Sequence, residues 1–410
     1  MDRLYERCCG IDVHKKMIVA CFKCGKEQEI REYGTTTAEL RELTAWLLDG
    51  KCEMIAMEST ASYWKPLYNI FELSGLDAIV VNARDMKAVP GRKTDVKDSE
   101  WIADLLQHGL LKASYVPDRE QRELREASRY RKSLIEERAR ELNRLQKMLE
   151  GANIKLSSFA SNINGKSSRR VLNALLEGKK LDEEQLQDLL HGSMHKKISD
   201  IMQAVDGILT PLQKQLIRNI IDHIDDMSRR IEDIEDMDKL ISNYLGKYQK
   251  AIEQLDEIPG IGIQSAETIL AEIGLDMTRF PSDAHISSWA GLAPGNNESA
   301  GKRRNSKTTK GNKTLKITLI QCAKSAVKKE GTFFHAQYQR LVVRRGKNRA
   351  VVAVAHSMLI AIYHMLKEDK PYQELGEDYY NQFNKERKIN AYLKKLFALG
   401  WRPEIATQPT

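Results

Sequence analysis

Three short strand-like runs open this chain with no helix between them, and strand and helix patterns then alternate to about residue 115. No other feature narrows the fold as much. Cys8 to Val13 is an apolar run, Met17 to Phe22 a second, and Glu27 to Tyr33 a third and more polar one after a Cys24-Gly25-Lys26 turn. Thr37 to Leu48 has helical spacing, with Leu40, Leu43, Leu47 and Leu48 on the inner side. Met54 to Met57 is a buried-strand run ended by Glu58, Tyr63 to Leu73 is helical, and Ala78 to Val81 is a last strand. A helix follows the Pro90-Gly91 break, capped by Thr94 or Asp95 and striped by Ile102, Leu105 and Leu106. The order is β-β-β-α-β-α-β-α.

That order is the one found in ribonuclease H-like (RuvC-like) mixed-sheet domains, and it accounts for four misplaced charges. Asp12 sits inside the first apolar run, and Glu58 ends the strand that pairs beside the first in such a fold. Asp95 and Asp98 are three apart, so both project from one side of the last helix. Each has an ordinary reading: a strand-end turn for Asp12, a helix cap for Glu58, and first-turn acids on a helix dipole for the other two. All four at these topological places instead form a converging set of hard oxygen ligands. Such a set suits Mg²⁺, and two ions about 4 Å apart activate a nucleophile and stabilise a leaving phosphodiester oxygen. His14 shares a strand face with Asp12 and is expected to hydrogen-bond rather than to bind metal.

The chain is 410 residues long, enough for two or three domains, and 30% of them are charged. A net charge of +8 points to a polyanionic partner. No apolar run is expected to reach the ~18 residues of a membrane span. The first residues are no signal peptide. A cytoplasmic protein with reduced thiols is therefore expected, nucleoid-associated when bound to DNA. Cys21 and Cys24 form a C-x-x-C with no second pair at metal spacing, so they read as strand residues rather than a zinc site.

Residues 116–250 read as a helical and coiled-coil region with an insert at 151–209. Glu120 to Glu150 lacks Gly and Pro. Its basic residues, Arg125, Arg129, Arg131 and Lys132 among them, fit either a solvated helix face or phosphate contacts. His191 and His195 in the insert read as surface histidines. Thr210-Pro211 starts another helix, on which Ile217, Ile220, Ile224, Met227, Ile231, Ile234, Ile241 and Leu245 recur in steps of three and four. This seam either pairs with a second copy or folds back on the Glu120 helix.

Residues 251–370 read as a helical domain opened by a helix-hairpin-helix. Leu255 to Ala266 carries Pro259-Gly260-Ile261-Gly262, whose glycines suit a backbone cradle for a DNA phosphate or a plain structural turn. A stretch from Ser299 to Lys316 contains Lys302, Arg303, Arg304, Lys307, Lys310, Lys313 and Lys316 and no acid. It reads as a loop and an electrostatic seat for a phosphate backbone. Ser299 stands at its mouth, with no adjacent His as a base. Apolar helices at Leu315 to Val327 and Ala350 to Leu366 close the domain, and residues 371–410 carry no readable motif.

Gly10-Ile11-Asp12-Val13-His14-Lys15, Ala56-Met57-Glu58-Ser59-Thr60 and Lys93-Thr94-Asp95-Val96-Lys97-Asp98 together resemble the DEDD transposases of the insertion-sequence one-ten family. Gly291-Leu292-Ala293-Pro294 through Asn312-Lys313 is similar to that family's second domain. The resemblance implies that Asp12, Glu58, Asp95 and Asp98 bind Mg²⁺ and that Ser299 attacks DNA to give a covalent 5′-phosphoserine. It further implies a structured non-coding RNA, the bridge RNA, and assembly of a dimer or tetramer through the coiled coil. Two other functions compete on the residues alone. One is a RuvC-like endonuclease that uses water, and the other is a nucleic-acid-binding protein without chemistry.

Overall fold

The computed structural model describes residues 3–82, 86, 98–160, 162–240, 246–295, 297–299, 302–305, 308–382 and 385–401. The chain divides into two compact units, Met1–Arg119 and Glu120–Thr410.

In the first unit a five-stranded sheet runs in the order β3-β2-β1-β4-β5. The strands are β1 (Arg7–Val13), β2 (Ile18–Cys24), β3 (Glu27–Tyr33), β4 (Met54–Glu58) and β5 (Ala78–Val81). β1 pairs antiparallel to β2 and parallel to β4, and β4 pairs parallel to β5. The expected element order is present throughout, and the strand ends shift by no more than two residues. Alternation sorts the side chains into two layers. Cys9, Ile11, Val13, Ile55 and Met57 pack with Leu40, Leu43 and Leu47 of α1 (Thr37–Asp49) and Leu67 and Phe71 of α2 (Trp64–Ser74). Cys8, Ala56 and Val81 face the other way, against Ile102, Leu105 and Leu106 of α3 (Asp98–Gln107). β3, polar and mostly exposed, is an edge strand.

Among the described residues, the second unit is helical apart from one hairpin. Its two longest helices are α4 (Arg119–Gly151) and α8 (Pro211–Leu240), with α5 (Lys166–Glu177), α6 (Glu183–Leu189) and α7 (Ile198–Ala204) between them. Leu145 and Leu149 of α4 share a core with Val171, Leu172, Leu186 and Ile201 of the insert and Ile217, Ile221, Ile224 and Met227 of α8. Further along, Leu134 meets Ile231 and Ile234, and Arg138 donates to Ser228 at 3.3 Å. Rising numbers on α4 meet falling numbers on α8, so the pair is antiparallel. From Ile217 to Ile234 the seam is buried by the chain's own residues, the fold-back alternative of the two. Ile241 and Leu245 lie outside the described residues.

Further helices among the described residues are α9 (Gln249–Asp256), α10 (Ile263–Ile273), α11 (Asp283–Trp289), α12 (Lys313–Ala326), α13 (Phe333–Arg345), α14 (Lys347–Glu368), α15 (Tyr379–Gln382) and α16 (Lys385–Ala398). A window of α14 reaches a mean hydropathy of 1.5 over a membrane-spanning length, which corrects the expectation that no such run exists. Ala350, Val354, Met358, Leu359 and Ile362 on it are buried within the unit, and Tyr363 donates to Phe280 O at 3.1 Å, as in a core helix. The tail beyond it folds back: Tyr372 stacks on Phe334, Tyr380 on Phe333, and Glu374 accepts the Phe333 N–H at 2.8 Å.

Candidate functional site

The first unit brings its acids to one end of the sheet. Asp12 and Glu58 each follow the face of Gly10 and Ala56, the face covered by α3. β1 and β4 run parallel with Ile11 opposite Met57, so the next step along both strands brings Asp12 level with Glu58. Asp98 is the first residue of α3 and is exposed there. Gly10 lets that helix approach: a methyl at this position would stand 2.2 Å from Ala103 N and 2.3 Å from Ser99 O. The helix backbone therefore lies directly on β1, with its first turn two residues from Asp12. Lys23, largely buried, pairs with Asp104, and Gln28 donates to Glu100 at 3.0 Å, fixing α3 from β2 and β3.

The Asp12 side chain is only 13% exposed and accepts a hydrogen bond from His14 Nε2 at 3.0 Å, as expected of that histidine. Thr60 Oγ1 donates to Glu58 at 3.0 Å and steadies its carboxylate. Asp95 lies outside the described residues, and among the described residues no three candidate ligands stand close enough to hold a metal. The donor chemistry fits a hard divalent cation, since it consists of carboxylates at the ends of neighbouring parallel strands. Asp12, Glu58 and Asp98 are the described residues able to contribute to such a site.

In the second unit the stretch read as a loop is a β-hairpin. β6 (Asn297–Ser299) pairs antiparallel to β7 (Lys302–Asn305), with Ser299 opposite Lys302, and Pro294 bridges Thr308 further down. Its strands are polar and very short, so no alternating apolar pattern marked them. The base is closed by glycine contact, for a methyl on Gly311 would stand 2.3 Å from Gly291 N. The side chains of Ser299, Lys302, Arg303 and Arg304, and all of Lys307, lie outside the described residues, while Lys310 and Lys313 are exposed.

Arg125, Arg129, Arg131 and Lys132 have a use other than the expected phosphate contacts. Arg129 holds Glu272 bidentately at 2.7 and 2.9 Å, and Arg125 donates to the Glu272 carbonyl at 2.6 Å. Arg131 pairs with Glu267 at 3.1 Å. Lys132 donates to Thr318 at 2.9 Å, and burial pushes its ammonium below the usual lysine range. These cations fasten α4 to α10 and α12, and Arg125 satisfies the open carbonyls at the end of α10. Census of charge along one helix could not show this, because the partners lie more than a hundred residues away. The clue was Glu272, an acid inside the apolar run of α10, the same kind of signal that singled out Asp12.

Gly260 and Gly262 lie in the tight turn between α9 and α10. Gly260, with φ of 88°, packs on α12, where a methyl would stand 2.5 Å from Cys322 O. Gly262 is exposed at the start of α10 with open space around it. Of the two, only Gly262 borders a helix N-terminus open to an anion.

Residues 9–154 match a family model described as Transposase, the DEDD type of IS110, and residues 252–339 match one described as Transposase IS116/IS110/IS902 family. The chain is 23% identical over 372 residues to the transposase for insertion sequence element IS1111A of Coxiella burnetii, covering 89% of this chain and 87% of that one. It is 25% identical over 330 residues to the putative transposase y4qE of Sinorhizobium fredii, covering 77% and 70%. A 123-residue stretch is 27% identical to an uncharacterized protein of insertion element IS110 of Streptomyces coelicolor, 29% of each chain.

Proposed function

The chain belongs to the IS110 family of transposases, and from that premise we propose that it cuts and rejoins DNA through Mg²⁺-assisted attack by Ser299. One observation carries the reading: Asp12 and Glu58 stand level on adjacent parallel strands, on the face where α3 begins with Asp98. Acids from three distant sequence positions gathered at one end of the sheet are what a cation-binding site requires. Asp12, Glu58 and Asp98, with Asp95, would hold the metal. When bound, Mg²⁺ supplies Lewis-acid stabilisation of phosphoryl charge and lowers the cost of deprotonating a hydroxyl.

The chain's own groups do the rest. His14 and Thr60 orient the Asp12 and Glu58 carboxylates. Lys302, Arg303 and Arg304 hold the strand by phosphate contact, Lys307, Lys310 and Lys313 extend that seat, and Gly262 at the start of α10 offers backbone N–H groups to a further phosphate, the use expected of a helix-hairpin-helix. Ser299 Oγ attacks phosphorus and the bond to the 3′ oxygen breaks. The serine proton leaves to solvent, and the departing oxygen takes up a proton. The products are a 5′-phosphoserine and a free 3′ hydroxyl. Attack by another 3′ hydroxyl reverses the step, so the phosphodiester is rebuilt without an external energy source. The protein acts in the cytoplasm, associated with the nucleoid. Its partners are element ends, a target site, further copies of itself in a dimer or tetramer and, by family resemblance, a bridge RNA.

The test is trapping on labelled DNA with and without Mg²⁺, resolved by denaturing electrophoresis and mapped by mass spectrometry. The expected result is a Mg²⁺-dependent adduct at Ser299 that Ser299→Ala loses. Nicks without an adduct would give the water-using endonuclease instead, and binding alone would give a protein without chemistry.

A further inference from the structure

Glu272 is only 1% exposed, and the chemistry proposed above does not use it. Arg129 donates to it from Nε at 2.7 Å and Nη2 at 2.9 Å and Asn312 from Nδ2 at 2.6 Å, and the Arg125 guanidinium forms an ion pair with it at 3.3 Å. A carboxylate this deep is costly unless its oxygens are filled. Filling them with charges rarely adds stability over an apolar core, and the best use of such a network is to specify one arrangement. Asn312 shows which arrangement. Its Oδ1 accepts the Leu315 N–H at 3.0 Å and so caps α12, while its own N–H donates to Trp289 O at 2.9 Å. The preceding residue, Gly311, lies against Gly291. Thr309 N donates to Ala293 O at 3.2 Å, and Pro294 bridges Thr308.

The outgoing leg, Gly291 to Pro294, and the returning leg, Thr308 to Asn312, are thus zipped together, and Asn312 fastens the returning leg to Glu272. β6, with Ser299 at its end, and β7 extend from this base. We infer that Glu272 and Asn312 are positioning residues that set where the Ser299 hairpin stands, by locking its returning leg to Arg125 and Arg129 of α4. The inference rests on the reading of Ser299 as nucleophile. Its geometry lies wholly within the second unit.

The discriminating variant is Asn312→Asp. Asp caps a helix as well as Asn does, so α12 keeps its start, but the donor to Glu272 is gone and a second carboxylate faces it. Asn312→Ser keeps the cap without the repulsion and is too short to reach Glu272. In the double variant Glu272→Gln with Asn312→Asp, the amide at 272 donates to the carboxylate at 312, and one negative charge again faces the two arginines. At saturating DNA, adduct formation should slow about tenfold or more in Asn312→Asp and less in Asn312→Ser, with DNA affinity and melting near wild type. The double variant should return to within about threefold of wild type, the signature of direct coupling. Hydrogen exchange of the β6 and β7 amides should follow the same order. A wild-type rate in Asn312→Asp, a double variant no better than the single, or a rate loss that only tracks melting would overturn the inference. If the wild-type chain forms no adduct at Ser299, the nucleophile reading falls. The exchange measurement still decides the clamp, which unchanged hairpin protection would overturn.

Discussion

The acids of the first unit and the serine of the second are held by opposite means. Asp12 lies one residue from the end of β1 and Glu58 ends β4, strands that pair with each other and are buried on both faces. Ser299 ends a three-residue strand that, among the described residues, pairs with β7 alone, and the support lies at the hairpin's base, in two apposed glycines and a buried polar cluster. A sheet holds a group through periodic backbone pairing, so moving it costs many bonds at once. A hairpin held at its base turns on a few contacts that each have one partner. On the chemistry proposed above, rigidly held carboxylates and a serine held at its hairpin's base would suit a reaction in which one serine meets more than one DNA strand.

The largest expected effect breaks the rigid side. Asp12→Ala, Glu58→Ala, Asp95→Ala and Asp98→Ala should each reduce strand cleavage by about 1,000-fold or more, equivalent to about 4 kcal/mol of transition-state stabilisation. DNA binding and the sheet unit's melting should stay close to wild type. Cleavage and filter-binding assays run side by side check this. Full activity in Asp98→Ala would remove α3 from the metal site.

Next in size is the helical seam. Ile224 is wholly buried among residues of this same chain, so Ile224→Ala should cost the second unit about 2–5 kcal/mol. Chemical denaturation at several protein concentrations checks it. The loss should not depend on concentration; a loss that shrinks as protein is concentrated would return the seam to pairing between copies.

A smaller effect tests how closely the sheet holds its acids. Gly10→Ala forces a methyl into the backbone of α3, an overpacking that costs about 1–3 kcal/mol. Since α3 must lift, Asp98 moves relative to Asp12, and cleavage should fall further than melting alone accounts for. Asp98→Ala added to Gly10→Ala should then do little more than Asp98→Ala alone. Additive losses would mean that Gly10 serves packing only.

Those three sites also show what the chain discloses before it is folded. Asp12 and Glu58 are legible because a charge interrupts an apolar run whose strand order is itself readable. Gly10 is not, because nothing local says that a helix nearly ninety residues later will lie on it. Arg125 and Arg129 look like phosphate ligands when counted along α4, and only the fold supplies Glu272 across 143 residues of sequence. The periodicity of Ile217 to Ile234 predicts a seam correctly but is silent on what fills it, since a helix of the same chain and a helix of a second copy present the same apolar stripe. The hairpin of Ser299 escapes because its strands have no apolar face to alternate.

The smallest effect compares the two units through the same local device, a capping box, once charged and once neutral. At the start of α1, Thr36 Oγ1 accepts the Glu39 N–H at 3.4 Å, and Glu39 accepts from Thr36 Oγ1 at 2.6 Å and from the Gly34 N–H at 3.0 Å. At the start of α8, Thr210 Oγ1 accepts the Gln213 N–H at 3.2 Å, and Gln213 accepts the Thr210 N–H at 2.9 Å. Thr36→Ala and Thr210→Ala should each cost about 0.5–2 kcal/mol at neutral pH. Acid separates them. The hydrogen bonds from Thr36, side chain first and then backbone, hold the Glu39 carboxyl below the usual glutamate range. A depressed folded value contributes stability above the unfolded value and loses it as pH falls through the folded one. Gln213 has no proton to gain. Protection of the Glu39 and Gln213 amides against hydrogen exchange, corrected for intrinsic rates, should therefore diverge between about pH 7 and about pH 3, a span that brackets the glutamate range. The α1 cap should weaken and lose much of its sensitivity to Thr36→Ala, while the α8 cap keeps both its protection and its sensitivity to Thr210→Ala. Equal weakening of the two would mean that acid acts on the whole fold rather than on the Glu39 carboxylate.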